Sequence, residues 1–163
     1  MKTGVALGSN VGDRLQNLKR ARDEIAALYD GLRCSRIYET EPVDCPADAL
    51  AFLNAVVEFE YNGRTVPLLE ELRAIENTMG RPPVRSRNEP RIIDLDILYV
   101  GDLVFSNDTI TIPHPRLHTR RFVLAPLCDL RPELILPGFH ENIAELLAKL
   151  PAVPAAKVFP ETF

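Results

Sequence analysis

With 163 residues, 46% of them hydrophobic, the chain is long enough to bury a core without disulfides or a structural metal, and one domain over residues 1–163 is expected. Its net charge of −4, from 19 basic and 23 acidic residues, excludes a general nucleic-acid-binding or membrane-surface character, so any basic patch has to be local. Cys34, Cys45 and Cys128 are odd in number and lack C-x-x-C spacing, which argues against a disulfide framework or a zinc site and for a reducing compartment. The first residues show no signal-peptide architecture and no apolar run reaches membrane-spanning length, so a cytoplasmic protein with no membrane partner is expected.

Residues 4–7 predict a short buried strand, ended by the turn formers Gly8, Ser9, Asn10, Gly12 and Asp13. Leu15, Leu18, Ile25 and Leu28 then keep helical spacing up to the stop at Asp30 and Gly31. Residues 34–40 predict a second strand and 41–48 an acidic, proline-containing loop. Residues 52–61 predict a third strand, with Asn54, Val56, Glu58 and Glu60 on one side and Leu53, Ala55, Val57 and Phe59 on the other. After the Asn62-Gly63 turn, Thr65 is the expected cap of a second helix, with Pro67 in its first turn, running through Leu68, Leu69, Leu72, Ile75 and Met79 to Gly80. Residues 81–90 have no periodicity and predict a long loop, a kind often tied to function. They feed a strand over residues 94–100. The order β-α-β-β-α-β predicts a ferredoxin-like, mainly antiparallel sheet with helices on one face. A strand over residues 109–112 and a helical stretch over 119–127 are expected to extend that core.

Asp94 and Asp96 stand one residue apart inside the apolar run 92–100, so an extended strand sets both carboxylates on one face. Two such anions repel unless a proton or cation lies between them, and Mg²⁺ favours one or two carboxylates plus phosphate oxygens. Just upstream, Arg81, Arg85, Arg87 and Arg91 stand against Glu89 alone, and the planar guanidinium suits phosphate. A metal-phosphate site follows from the combination, whereas a lone D-x-D or a lone arginine run is commonly a solvated surface. Further on, His114, Arg116, His118, Arg120 and Arg121 crowd a proline-bounded segment; His114 is the stronger functional candidate, and His140 is structural. Residues 8–13 could offer backbone N–H groups to an anion, but they lack P-loop or dinucleotide spacing, and a capped turn explains them as well. Asn54, mid-strand among apolar residues, either ties down a loop or reads a heterocycle's edge. No covalent-catalysis signature is present.

In unbroken order, Leu7-Gly8-Ser9-Asn10, Tyr38-Glu39-Thr40-Glu41-Pro42, Phe52-Leu53-Asn54-Ala55, Pro90-Arg91-Ile92-Ile93-Asp94-Leu95-Asp96-Ile97, Pro113-His114-Pro115-Arg116 and Pro126-Leu127 resemble the 6-hydroxymethyl-7,8-dihydropterin pyrophosphokinases of folate synthesis, over roughly residues 3–137. The resemblance implies an α+β fold with a ferredoxin-like core in an α/β/α sandwich. It implies transfer of pyrophosphate from ATP to the pterin's hydroxymethyl oxygen by a monomer that binds these small molecules, with Mg²⁺ as cofactor in two ions on Asp94 and Asp96. By the same resemblance Arg81, Arg91, His114 and Arg120 contact the triphosphate, with Arg81 and Arg91 counted as catalytic. Leu69, Glu76, Ile97 and Thr111 lie by the nucleotide; Asn54 reads the pterin, Phe52 and Phe122 flank it, and Thr40 and Val43 border it. Asn88, Glu89, Thr109 and Pro115 depart from the family's pattern, which touches loop closure and nucleotide affinity. Two rivals remain. An RNA-binding ferredoxin-like module would need sheet aromatics in a pattern absent here, and a D-x-D nucleotidyltransferase would release pyrophosphate in place of AMP.

Overall fold

The computed structural model describes residues 1–41, 51–80 and 91–163. In chain order it forms β1 (Lys2–Ser9), α1 (Arg14–Leu28), β2 (Arg33–Cys34), β3 (Tyr38–Thr40), β4 (Phe52–Glu60), α2 (Thr65–Thr78), β5 (Asp94–Val100), β6 (Phe105–Ser106), β7 (Thr111–Ile112), a 3₁₀ turn (Leu117–Thr119), α3 (Arg121–Leu130), α4 (Ile143–Lys149) and β8 (Ala156–Val158). Asp13 starts α1 by accepting from the Gln16 backbone N–H at 3.0 Å, which satisfies one of the orphan donors of the first turn. Arg64, in place of Thr65, occupies the cap position of α2, and no side chain bonds there; the Thr65 side chain is buried.

Among the described residues the main sheet is antiparallel, in the order β5-β1-β4-β3-β8, with β2 also on β4, and β6 and β7 form a separate hairpin. This is the strand order of the predicted ferredoxin-like unit. Leu18, Ala21 and Ile25 of α1 and Leu68, Leu72 and Ile75 of α2 pack on one face, against Val5, Leu53, Val57, Phe59, Leu95 and Ile97. Val123, Leu124 and Leu127 of α3 with Ile143 and Leu146 of α4 cover the other, against Val56, Leu98 and Tyr99. Helices therefore cover both faces. The β-α-β-β-α-β order alone placed them on one; α3 and α4, downstream of that unit, supply the second layer and complete an α/β/α sandwich. Each fully buried Leu, Ile or Phe in these layers contributes on the order of 1.5–3 kcal/mol.

Two bulges break the expected periodicity. Residues 34–40 are not one strand: Cys34 pairs with Val57 and Tyr38 with Asn54, so three residues oppose two, and Ser35 fills the gap by accepting from the Val56 N–H at 2.9 Å through its hydroxyl. In β5, Tyr99 pairs with Gly4 but Ile97 pairs with Val5, leaving Leu98 as an extra residue. The slip turns Tyr99 away from the Leu95 and Ile97 face onto the α3 face. Residues 109 and 110 stay outside β7 because Asn107 Oδ1 gathers both their backbone N–H groups into a turn.

Candidate active site

Residues directly opposite one another in a sheet share a face. Gly8 pairs with Asp94 on one side and Asn54 on the other, and Asn54 pairs with Tyr38, so these four stand in one row on the α3 face; Asp96, Ala6 and Val56 make the next row. The two carboxylates thus sit together at the end of β5, as the spacing predicted. Arg91 NH1 donates to Asp94 Oδ2 at 2.5 Å, and Arg120 NH1 lies 3.7 Å from Asp96 Oδ2. Burial, and then the charge of Asp94, hold the Asp96 carboxyl above the usual carboxylate range, with His114, Arg120 and Arg91 pulling the other way. The Asp96 side chain nevertheless keeps 42% of its surface open. Burial lowers the His114 imidazole despite Asp96 beside it, and Nδ1 accepts from the Arg116 backbone N–H at 3.1 Å, an arrangement suited to a neutral ring.

On the outer side of β5 a cavity of about 320 Å³ opens between α2, the strand edge and the β6–β7 hairpin. Asp94 and Asp96 line it, and so do five predicted nucleotide residues: Leu69, Glu76, Ile97, Thr111 and His114. Glu76 is only 3% exposed and accepts from the Leu95 N–H at 2.8 Å, which satisfies one backbone donor of this edge strand. Arg73, Asn107 and Asp108 also line the cavity and were not anticipated. Arg73 lay hidden among the charged residues of the solvent side of α2, and the other two looked like turn formers.

Across the row, Asn54 Nδ2 donates to Thr40 Oγ1 at 2.8 Å, with both side chains buried. Among the described residues a Cβ on Gly8 would meet only Asn54 Oδ1 at 3.3 Å and Phe52 Cδ1 at 4.0 Å, so among them the surface between Asp94 and Asn54 is backbone bordered by Phe52. Phe122 packs against the α3-side cluster, with the Arg120 guanidinium 5.6 Å from its ring centre. Behind it, Asp129 of α3 accepts from the Arg36 backbone N–H and guanidinium and from the Tyr38 hydroxyl, at 2.5–3.1 Å, and burial followed by this bond pushes that phenol up to about 12. These bonds tie α3 to β3.

The turn over residues 8–13 is engaged internally. Buried Asn10 accepts from the Arg91 N–H through Oδ1 at 2.7 Å and donates its own N–H to the Arg91 carbonyl at 3.1 Å, while Asn17 of α1 holds Ser9 and Val11. Asn10 therefore clamps the backbone of the residue whose guanidinium meets Asp94, a role that sequence does not distinguish from turn formation. Arg81 and Val43 lie outside the described residues, as does Cys45. The His118 ring rests against Phe139, and its buried Nδ1 makes no hydrogen bond among the described residues.

Among the described residues no cluster of three His, Cys, Asp or Glu could chelate a metal by itself. Two adjacent, water-accessible carboxylates facing a cavity are the donor set that fits Mg²⁺, which fills its remaining positions with water and phosphate oxygens.

Comparison with known proteins points the same way. The profile of the 7,8-dihydro-6-hydroxymethylpterin-pyrophosphokinase (HPPK) family matches residues 4–132. The chain is 38% identical over 151 residues to a folic acid synthesis protein of Schizosaccharomyces pombe, covering 91% of this chain and 20% of that protein. It is 37% identical over 145 residues to the 2-amino-4-hydroxy-6-hydroxymethyldihydropteridine pyrophosphokinase of Haemophilus influenzae, covering 88% of this chain and 89% of that one. The Pseudomonas aeruginosa protein of the same name is 39% identical over 150 residues, covering 90% of each. The chain therefore spans about a fifth of the yeast protein and nearly all of the two bacterial ones. A crystal structure of Plasmodium falciparum HPPK-DHPS with pteroate, 17% identical, superposes with a TM-score of 0.73 over 91% of this chain and 43% of that chain, which shows the same fold.

Proposed function

The chain belongs to the 7,8-dihydro-6-hydroxymethylpterin-pyrophosphokinase family, and from that premise we propose that it transfers the pyrophosphoryl group of ATP to the hydroxymethyl oxygen of 6-hydroxymethyl-7,8-dihydropterin in folate biosynthesis, releasing AMP. The observation that carries the reading is the position of Asp94 and Asp96. They stand where the cavity at the edge of β5 meets the row that runs over Gly8 to Asn54.

Leu69, Ile97, Thr111 and Glu76 seat the nucleotide in that cavity, with its phosphates toward the carboxylates. Arg91, His114 and Arg120 surround the phosphates; Arg81, given the same role by the family resemblance, lies outside the described residues. Asn54, held by Thr40, presents its amide to the pterin's donor and acceptor edge, while Phe52 and Phe122 flank the ring and Val43 borders it. Asp94 and Asp96 would hold two Mg²⁺ ions, which when bound place positive charge on the phosphate oxygens and lower the pKa of a coordinated hydroxyl. In-line attack on the β-phosphorus needs no protein nucleophile, so the chain's contribution is positioning and charge. Arg91, anchored at its backbone by Asn10, stabilises the charge that develops on the phosphoryl oxygens. The dispersed cysteines suit a cytoplasmic setting, and among the described residues no helix is long and apolar enough to cross a membrane.

A product assay tests the reading. Incubation with Mg-ATP and the pterin alcohol should give AMP and the pterin diphosphate in equal amounts, and no product after removal of the metal with a chelator. Release of inorganic pyrophosphate would instead identify a nucleotidyltransferase.

A further inference from the structure

Helix α3 begins at an awkward point. Its first residue is Arg121, its cap position is Arg120, no side chain bonds to the exposed N–H groups of its first turn and no acid stands in that turn. An uncapped start with two cations at the positive end of the helix dipole should fray. Yet this is the turn that carries both Arg120, facing Asp96, and Phe122, under the Arg120 guanidinium.

What holds it is the Arg121 side chain. Its Nε donates to the Pro151 carbonyl at 2.8 Å, and its terminal NH2 donates to the Leu150 carbonyl at 2.7 Å and to that of Leu147 at 3.5 Å. Leu147 and Leu150 belong to the last turn and the cap of α4, and Pro151 follows them; the Leu147 carbonyl also accepts from the Leu150 N–H, and a guanidinium fork at this end is favoured by geometry and by the negative end of the dipole. Helix α4 is packed on α3 through Ile143 and Leu146, and the chain beyond Pro151 runs on to β8, whose Ala156 pairs with Thr40. One side chain thus joins the start of α3 to a segment that ends beside the opposite wall of the pterin surface. The acceptors, Leu147, Leu150 and Pro151, lie beyond residues 4–132, the stretch matched by the family profile.

We propose that Arg121 is a positioning residue for the pterin: it latches the first turn of α3 to the end of α4 and so fixes Phe122 over the ring and Arg120 at the phosphates. The inference rests on the roles given to Phe122 and Arg120 above. The test is a double-mutant cycle of Arg121→Ala with Phe122→Ala, read as kcat and pterin KM, with the melting temperature recorded for each protein. Arg121→Ala should raise the pterin KM about tenfold and change kcat less than about threefold, and in the Phe122→Ala background the same substitution should move KM less than about twofold. Arg121→Lys, which keeps the charge and part of the donor set, should restore most of the loss. An undiminished tenfold effect in the Phe122→Ala background, or a wild-type KM in Arg121→Ala, overturns the latch. A wild-type KM in Phe122→Ala overturns the assignment of Phe122 beneath it, a different row of the same cycle. Should Arg121→Ala fail to fold, Arg121→Gln, which retains one donor group, carries the cycle with the same criteria.

Discussion

Replacement of Gly8 by alanine sets stability and activity against each other. Gly8 lies in β1, paired on both sides, and its φ is outside the left-handed region, so a methyl group is tolerated by the backbone, and glycine in a strand interior costs roughly 0.5–1 kcal/mol relative to alanine. Against that gain, the new Cβ would stand 3.3 Å from Asn54 Oδ1, a few tenths of an ångström inside an optimal contact, and 4.0 Å from Phe52 Cδ1. The two effects nearly offset, so the net change should stay within about 0.5 kcal/mol, or roughly 1–2 °C in Tm for a domain of this size. Activity should not be spared. Among the described residues the methyl rises from bare backbone between Asp94 and Asn54, where the proposed function lays the pterin ring. A displacement of about 1 Å there should lower kcat/KM for the pterin on the order of 100-fold. Calorimetry and steady-state kinetics at saturating Mg-ATP measure both. A Gly8→Ala protein with wild-type kcat/KM would show that the substrate does not cross Gly8, and the assignment of Asn54 would go with it.

Two further substitutions probe the frame. Asp96→Asn should abolish turnover yet raise the Tm of the metal-free protein at neutral pH: the folded state holds this carboxyl above its unfolded value, so the charged form is disfavoured on folding, and the increment should fade as pH falls through the raised folded value and be gone below the unfolded value near about 4. A drop in Tm at pH 7 would show that Arg120 and His114 outweigh burial and Asp94. Gly4→Ala should destabilise by about 1–3 kcal/mol or more in urea titrations, because its Cβ would fall 2.3 Å from Tyr99 Cε1 and 2.7 Å from Cζ, and the ring is held in place by its hydroxyl bond to buried Glu58 at 2.6 Å. Unchanged stability would mean that the Tyr99 ring has room to move.

Much of this was legible because the signals were local. The pattern over residues 52–60 and 94–100 marked β4 and β5, and the helical spacing with stops at Gly31 and Gly80 marked α1 and α2; with the strands read over residues 4–7 and 34–40, the order of the six units then implied the sheet. The Asp94 and Asp96 pair was visible because strand geometry alone puts i and i+2 on one face. Bulges were not visible, since an inserted residue leaves composition unchanged while it turns every later side chain over, as it does Tyr99. Helix α4 went unread although Asn142 and Glu145 form a reciprocal capping box, because seven residues hold too little periodicity to stand out, and β8 is a three-residue edge strand that exists only because β3 is there to pair with it. Asn10 and Arg121 escaped for the same reason: what they do depends on partners 81 and about 30 residues away.

The two glycines of β1 explain why this face of the sheet can be both a core and a site. Gly4 stands between Glu58 and Tyr99 as Gly8 stands between Asn54 and Asp94: each is a gap with a polar residue on the neighbouring strand at its far side. The bulge at Leu98 swings Tyr99 over the first gap, where its ring fills the space and its hydroxyl reaches Glu58, whose carboxylate is fully buried and also faces Arg131 at 3.1 Å and Arg33 at 3.6 Å. Oε2 takes both hydrogen bonds, from Tyr99 and Arg131, while buried Oε1 has the Arg33 charge near it and no hydrogen bond among the described residues. No side chain of the described residues lies over the second gap; the nearest neighbours of a Gly8 Cβ are the Asn54 oxygen and the edge of Phe52. An aromatic heterocycle with donors and acceptors along one edge would complete the second gap as Tyr99 completes the first, reaching Asn54 at one end while its side arm meets Asp94 and Asp96 at the other.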